Sequence, residues 1–359
     1  MKIGLINTYS YSNVGDAAIY AALTKMLGDH EVYVALQNND GTSPEGLRYK
    51  QDLSECDTYV SVGGDIFNNT RPWLFTRNFL YNVNQLRNSP ETTFLFGQSI
   101  PTSCQGLSLK LLTEQLKRIA SVTVRDQQSY QLLKRHGVKA KLSYDTAFVL
   151  ECSEAAITFA SNLLSSMSEQ KCAVISLRDF NALYPADNEI FIRNIATLCQ
   201  QLKQRQYQPI LLIQSSVSEL DSDWLVAKAI QDLCPGIKIL DLVKYSSVFP
   251  SWELLQGVLK SAQLIVAVRY HTAVLALAAG RVPYNLYYSN KGADLCHRLK
   301  IPGESVEQLN PEQSIEIIEK TGQETFNVEP LRHAVLNDFK IGLEICCANL
   351  NKKYSYEVA

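Results

Sequence analysis

The 359-residue chain contains no CxxC pair, although it has nine cysteines, at positions 56, 104, 152, 172, 199, 234, 296, 346 and 347. That pattern argues against a cysteine-built zinc site, and the odd, irregular count argues against a disulfide framework. The thiols are expected mostly as small buried hydrophobes. Excess charge is also missing. Lysine and arginine number 34 against 36 acidic residues, a net −2 with no long run of either sign, so nucleic acid is not expected as a partner. No apolar run reaches the roughly 18 residues of a membrane-spanning helix, and the longest candidate is interrupted by Arg269 and His271. The opening MKIGLINTYSYSNVGDAAIY lacks the apolar segment and small-residue cleavage site of a secretory signal, so a cytoplasmic location is expected. Neither GxGxxG nor GxxxxGK[ST] occurs, which leaves dinucleotide and P-loop nucleotide binding without support. Solenoid repeats and low-complexity tracts are absent too.

What is present is a rhythm. Apolar, β-rich runs alternate with helix-like segments: KIGLIN (2–7), EVYVAL (31–36), TYVSVGG (58–64), TFLFGQSI (93–100) and SVTVRD (121–126). The amphipathic stretches 107–120 and 128–137 lie among them. Runs that are apolar throughout, rather than alternating, suit strands buried on both faces of a parallel sheet. The rhythm pauses over a Ser-rich, helix-like stretch at 152–171. It resumes with AVISLRDF (173–180), PILLIQ (209–214), IKILDL (237–242), LIVAV (264–268) and VPYNLYY (282–288). Two doubly wound, Rossmann-like α/β domains with parallel sheets are therefore expected, over residues 1–155 and 170–325, with a helical tail over 326–359.

Such sheets bind ligands at the carboxyl ends of their strands, where loops lead into helices. The first such loop holds Asn13, Gly15 and Asp16 before a helix; the residues read as an anion or carboxylate site or as a plain helix cap. Gly63 and Gly64 follow the third run and allow a tight turn or close backbone approach. Gln98 sits in FGQSIPT, and Arg125 with Asp126 reads equally as an internal ion pair or as ligand contacts. In the second half, Arg178 follows one strand, Arg269 and His271 follow another, and Lys291 follows the last. Cations at the ends of neighbouring strands converge on one rim of a sheet, where they suit phosphate and carboxylate groups. His271 alone reads equally as a structural histidine.

Taken in order, SNVGDAAI, GGDIF, FGQSIP, VTVRDQQSYQLLKRHGV, YDTAFVL, ISLRDF, VRYHTAVLALAAGRVP and YYSNK resemble the polysaccharide pyruvyl transferase family over residues 12–291. Three positions depart from the family pattern. Asp65 stands where some members have a third glycine, Tyr270 where leucine is usual, and Lys291 where some members use arginine, whose bidentate fork lysine lacks. The resemblance implies a GT-B-like pair of domains with the site in the cleft between them. It implies phosphoenolpyruvate as donor, held by Arg178, Arg269, His271 and Lys291 on the C-terminal side. A sugar or lipid-linked saccharide acceptor would bind on the N-terminal side, with Asn13, Gly15, Gly63, Gly64 and Gln98 contributing. The product implied is a pyruvate ketal, with phosphate released. His271 is the expected acid or phosphate ligand, Asp16 the expected base, and no metal or cofactor is required.

Two rival readings use the same architecture: a nucleotide-sugar glycosyltransferase, and a non-catalytic sugar-binding member. Acceptor choice is expected to rest on loops 37–52 and 65–78, where Phe67, Arg71 and Trp73 are available to a sugar. Trp73 is nonetheless expected mainly to pack a helix onto the sheet. Membrane association, if any, is expected to be peripheral.

Overall fold

The computed structural model describes residues 1–35, 47–50, 52–71, 73–180, 186–218 and 221–357. Most of the expected acceptor loop 37–52 lies outside these residues. The chain forms two compact units: Met1–Tyr11, Ile19–Val149 and Glu329 onward make the first, and Ser12–Ala18 with Leu150–Val328 make the second.

The first unit is built on seven parallel strands: β1 (Lys2–Ile6), β2 (Glu31–Val34), β3 (Arg48–Tyr49), β4 (Thr58–Ser61), β5 (Thr93–Gln98), β6 (Ser121–Val124) and β7 (Lys141–Leu142). Their order is β3-β2-β1-β4-β5-β6-β7, so the winding reverses between β1 and β4. β4 and β5 are buried at every position, which is why they read as unbroken apolar runs rather than alternating ones. The tail helix Glu329–Glu357 covers this sheet rather than standing apart as a third piece. Phe339 meets Phe94 and Phe96 edge-on, with ring centroids 5.2 Å apart in both cases. Lys141 pairs with Asp338 at 2.5 Å. The ion pair considered for Arg125 and Asp126 forms differently. Arg125 pairs with Asp145 at 2.5 Å, both side chains only 1% exposed, and Asp126 caps the helix Gln127–Arg135 through the Ser129 amide.

The expectation for Trp73 is overturned. Its indole is 85% exposed, and the residue that packs the helix Arg77–Gln85 onto the core is Phe79, fully buried. Phe67 is core as well, and Arg71 is exposed.

The second unit carries β8 (Lys171–Ser176), β9 (Tyr207–Ile213), a small antiparallel hairpin of β10 (Ser216–Ser218) and β11 (Asp221–Ser222), then β12 (Lys238–Asp241), β13 (Leu264–Ala267), β14 (Tyr284–Tyr287) and β15 (Gly303–Ser305). The parallel sheet runs β12-β9-β8-β13-β14-β15. This repeats the winding of the first unit, with its reversal between β8 and β13. Ile175, Leu211, Val266 and Leu286 from the strands pack with Phe191, Ile195, Ile230 and Ile315 from the helices into one core. The Ser-rich stretch forms the helix Glu154–Met167, capped by the Ser153 hydroxyl on the Ala156 amide. It lies close against the helix Ser251–Ser261 at Gly257, where a β-carbon would stand 2.8 Å from the Ala156 carbonyl oxygen.

Residues 12–18, expected with the N-terminal domain, belong to this second unit. The Val14 amide donates to the Gln214 carbonyl at 3.0 Å, and Asn13 forms an isolated antiparallel bridge with Ser215.

Candidate active site

A doubly wound sheet opens a crevice where its strand order reverses, at the carboxyl ends of the two strands concerned. In the second unit those strands are β8 and β13. The residues leaving them are Leu177-Arg178-Asp179 and Val268-Arg269-Tyr270-His271. Three of the cation-bearing positions singled out in the sequence therefore share one strand crossing.

The crossing is stitched from below. The Ser176 hydroxyl, at the end of β8, accepts the amides of Val268 and Arg269 at 2.8 and 3.1 Å. Arg269 turns inward and is 8% exposed. Its Nε donates to the Leu177 carbonyl at 3.0 Å, and its Nη2 meets Asp223 at 2.5 Å. Asp223 is itself fully buried, and its other oxygen accepts the amides of Gln214 and Ser215 at 2.9 and 3.1 Å. A guanidinium so engaged braces the crossing through Nε and Nη2. Asp223 and Gln214 carry no signal in the sequence, because their partners lie tens of residues away along the chain.

With Arg269 as the residue preceding it, the helix Tyr270–Ala278 starts at this crossing and carries His271 in its first turn. The Arg269 side chain does not cap that end. Helix starts present free N–H groups and the positive end of the dipole, which favours an anion. Thr272 is tied down by its hydroxyl, which donates to the Gln214 side-chain oxygen at 2.9 Å. The Tyr270 ring has the His271 ring edge-on at 5.5 Å and the Lys291 ammonium over its face at 5.6 Å. Lys291 lies in the first turn of a second helix, Asn290–Leu299, which follows β14. Beside that helix start is a cavity of about 190 Å³ lined by Tyr287, Tyr288, Ser289, Asn290, Ser305 and Glu307 among others. Arg178 is half-buried at the β8 exit.

The N-terminal segment completes the cluster. The Asn13 side-chain oxygen accepts the amides of Gly15 at 2.9 Å and Asp16 at 3.4 Å, so Asn13 is the cap of the helix Val14–Leu27 and Asp16 sits in its first turn. Gly15 faces the imidazole so closely that a β-carbon there would lie 2.2 Å from Nδ1 of His271. The second unit thus gathers Asn13, Gly15, Asp16, Arg178, Arg269, His271 and Lys291.

Gly63, Gly64 and Gln98 belong to the first unit, at the ends of β4 and β5. A β-carbon on Gly63 would meet the Gly97 carbonyl oxygen at 2.4 Å, so the two strand exits touch backbone to backbone. Gln98 is fully buried, and its side-chain nitrogen donates to the carbonyls of Gly64 at 2.8 Å and Ser99 at 2.6 Å. Its oxygen, also buried, has no donor among the described residues. These three residues shape the junction of the two strands. Among the described residues no group of three or more His, Cys, Asp or Glu side chains is arranged to hold a metal ion. No described helix is long and apolar enough to cross a membrane.

A family model described as polysaccharide pyruvyl transferase matches residues 13–290. No curated protein matches the chain. Solved structures resemble it along nearly its whole length at low identity. UDP-GlcNAc 2-epimerase from Methanocaldococcus jannaschii, in complex with UDP-GlcNAc and UDP, is 14% identical with a TM-score of 0.60, over 95% of this chain and 99% of that one. HepE from Anabaena, in complex with UDP and glucose, is 13% identical with a TM-score of 0.55, over 99% and 98%. A glycosyltransferase from Rickettsia africae is 11% identical with a TM-score of 0.53, over 99% and 97%. At such identities the likeness carries the fold: two parallel-sheet α/β domains of the GT-B class, as the sequence led us to expect.

Proposed function

The chain belongs to the polysaccharide pyruvyl transferase family, and from that premise we propose that it transfers a pyruvyl group from phosphoenolpyruvate to a sugar, forming a ketal across two hydroxyls. The observation that carries this reading is the grouping of Arg178, His271 and Lys291 with two helix starts at the exits of β8, β13 and β14. A small ligand bearing both phosphate and carboxylate finds there several cationic and N–H donors and no metal requirement.

In this reading His271 protonates the donor's methylene carbon while an acceptor hydroxyl adds to the neighbouring carbon, its proton passing to Asp16. The adduct carries a methyl, a carboxylate, the new ether oxygen and the phosphate. Inorganic phosphate departs with the proton held on Asp16 and leaves an oxocarbenium ion, which the adjacent acceptor hydroxyl captures, its proton restoring the His271 acid. Arg178 and Lys291 stabilise the charge on phosphate and carboxylate throughout. Arg269 acts at one remove, by fixing the crossing from which His271 projects. Asp16 takes the base role from its place in the first turn of the helix Val14–Leu27, on the segment that brings Gly15 against His271. The acceptor is a sugar hydroxyl pair, free or lipid-linked.

Thermal unfolding with phosphoenolpyruvate and, separately, with UDP-sugars tests the donor. A ligand at a hundredfold excess over its dissociation constant adds about 2.7 kcal/mol of stability. A shift with phosphoenolpyruvate that is lost in Arg178→Ala and in His271→Ala, followed by phosphate release in the presence of an acceptor, supports the proposal. A shift with a UDP-sugar and none with phosphoenolpyruvate overturns it in favour of a glycosyltransferase.

A further inference from the structure

Between Ile66 and Pro90 the sequence holds three arginines, at 71, 77 and 87, and no acidic residue. The same stretch displays the most exposed large apolar side chains of the first unit: Trp73 at 85% and Leu74 at 66%, with Phe75 and Tyr81 also open. A tryptophan and a leucine side by side in water cost solvation that a core or a partner would recover, so their joint exposure marks a contact surface.

The loop that presents them is built, not slack. Asn69 is 4% exposed and ties both ends of it: its side-chain nitrogen donates to the carbonyls of Arg71 and Leu74 at 2.8 and 3.2 Å, and its oxygen accepts the Thr76 amide at 2.9 Å. Behind the loop Phe75 stacks on the buried Phe79, ring centroids 5.7 Å apart. Trp73 and Leu74 are thereby held outward. Arg77 occupies the first helical position of Arg77–Gln85, where a positive charge opposes the helix dipole, and no acidic residue stands in that first turn to offset it. Both Arg71 and Arg77 are exposed. Helix stability does not account for the placement of Arg77.

We propose that this loop is a monotopic membrane contact, with Trp73 and Leu74 entering the headgroup region of an anionic phospholipid bilayer and Arg71 and Arg77 meeting its phosphates. An apolar wedge and a basic rim are the two signals that reversible interfacial binding combines, and tryptophan favours that depth because its ring is amphipathic. The inference is independent of the donor chemistry proposed above, since the binding is measured with neither donor nor acceptor present.

The full-length protein is spun with large vesicles of phosphatidylcholine alone, and with vesicles of equal parts phosphatidylcholine and phosphatidylglycerol, at low and high salt. The wild type is expected to sediment with the anionic vesicles and to be released by salt. The double variant Trp73→Ser, Leu74→Ser is expected to need at least ~10-fold more lipid for half-maximal binding. The double variant Arg71→Gln, Arg77→Gln is expected to lose on the order of fivefold per arginine, each being worth about 1 kcal/mol near such a surface. All four residues are exposed, and equal thermal midpoints verify that the variants are folded. Absence of wild-type binding to either vesicle overturns the proposal. So does unchanged binding by the Trp73–Leu74 variant, which would reduce the contact to charge alone.

Discussion

Gly15 lies so close to His271 that a β-carbon on it would stand 2.2 Å from Nδ1 and 2.9 Å from Cγ of the imidazole. The contact joins two segments more than 250 residues apart, so anything larger than glycine at position 15 must displace the ring. Gly15→Ala is expected to push the imidazole aside and lower kcat/KM by about 100-fold, the order of loss that a misplacement of roughly 1 Å brings. Stability should change little, because the imidazole is only half-buried. Steady-state kinetics beside a urea melt check both halves; a variant with full activity would remove His271 from the chemistry.

The strut beneath the site should behave in the opposite way. Asp223→Ala strands the buried guanidinium of Arg269 and the amides of Gln214 and Ser215. Removing one partner of a buried ion pair costs about 3–5 kcal/mol. The urea midpoint is therefore expected to fall sharply, with Asp223→Asn intermediate because its oxygen still accepts a hydrogen bond.

Packing of the helices Glu154–Met167 and Ser251–Ser261 depends on the bare backbone at Gly257. Gly257→Ala sets a methyl against a carbonyl oxygen that cannot rotate away, so the helices must part. The expected cost is about 1–3 kcal/mol, the usual penalty of overpacking, despite alanine's higher helix propensity. A thermal melt that rises instead would mean the helices slide freely.

Burial pushes the thiols of Cys104 and Cys346 up to about 12, and that of Cys56 up to about 11. At pH 8 only about one in ten thousand molecules carries Cys104 as thiolate. A thiol-specific reagent is accordingly expected to spare Cys104 and Cys346 in the native protein and to label them only after unfolding. The same shifts give a pH dependence of known sign. Well below pH 9 the thiols are protonated in both states and contribute no slope. Above it the unfolded chain ionises first, so stability falls as the pH climbs from about 9 toward about 12. Melting temperatures at pH 8 and above pH 10 check the direction.

Much of this was legible in the order of residues. Long, wholly buried strands such as β5 and β13 announced themselves as apolar runs, and the cations beyond β8, β13 and β14 marked the rim. The two-residue strands β3 and β7 and the short β15 escaped, because an edge strand of that length buries too little to need an apolar run. The pairing of Arg269 with Asp223 was not legible, because it exists only once β9 and β13 lie in one sheet. Trp73 was misjudged for a related reason. Composition tells that a tryptophan must be placed somewhere, but only the bonds of Asn69 decide that it faces outward.

The assignment of residues 12–18 to the second unit and of the last helix to the first means that the chain is interlaced: neither unit is a continuous piece of polypeptide. No single proteolytic cut can release either one whole. On the ribosome the segment bearing Gly15 emerges ahead of the β13 region and must wait for it before His271 has its neighbour. Phe94 and Phe96 stay uncovered for longer still. At about 5–20 residues per second, Phe339 follows Phe96 by roughly ten to fifty seconds, and for that time the first sheet lacks its cover.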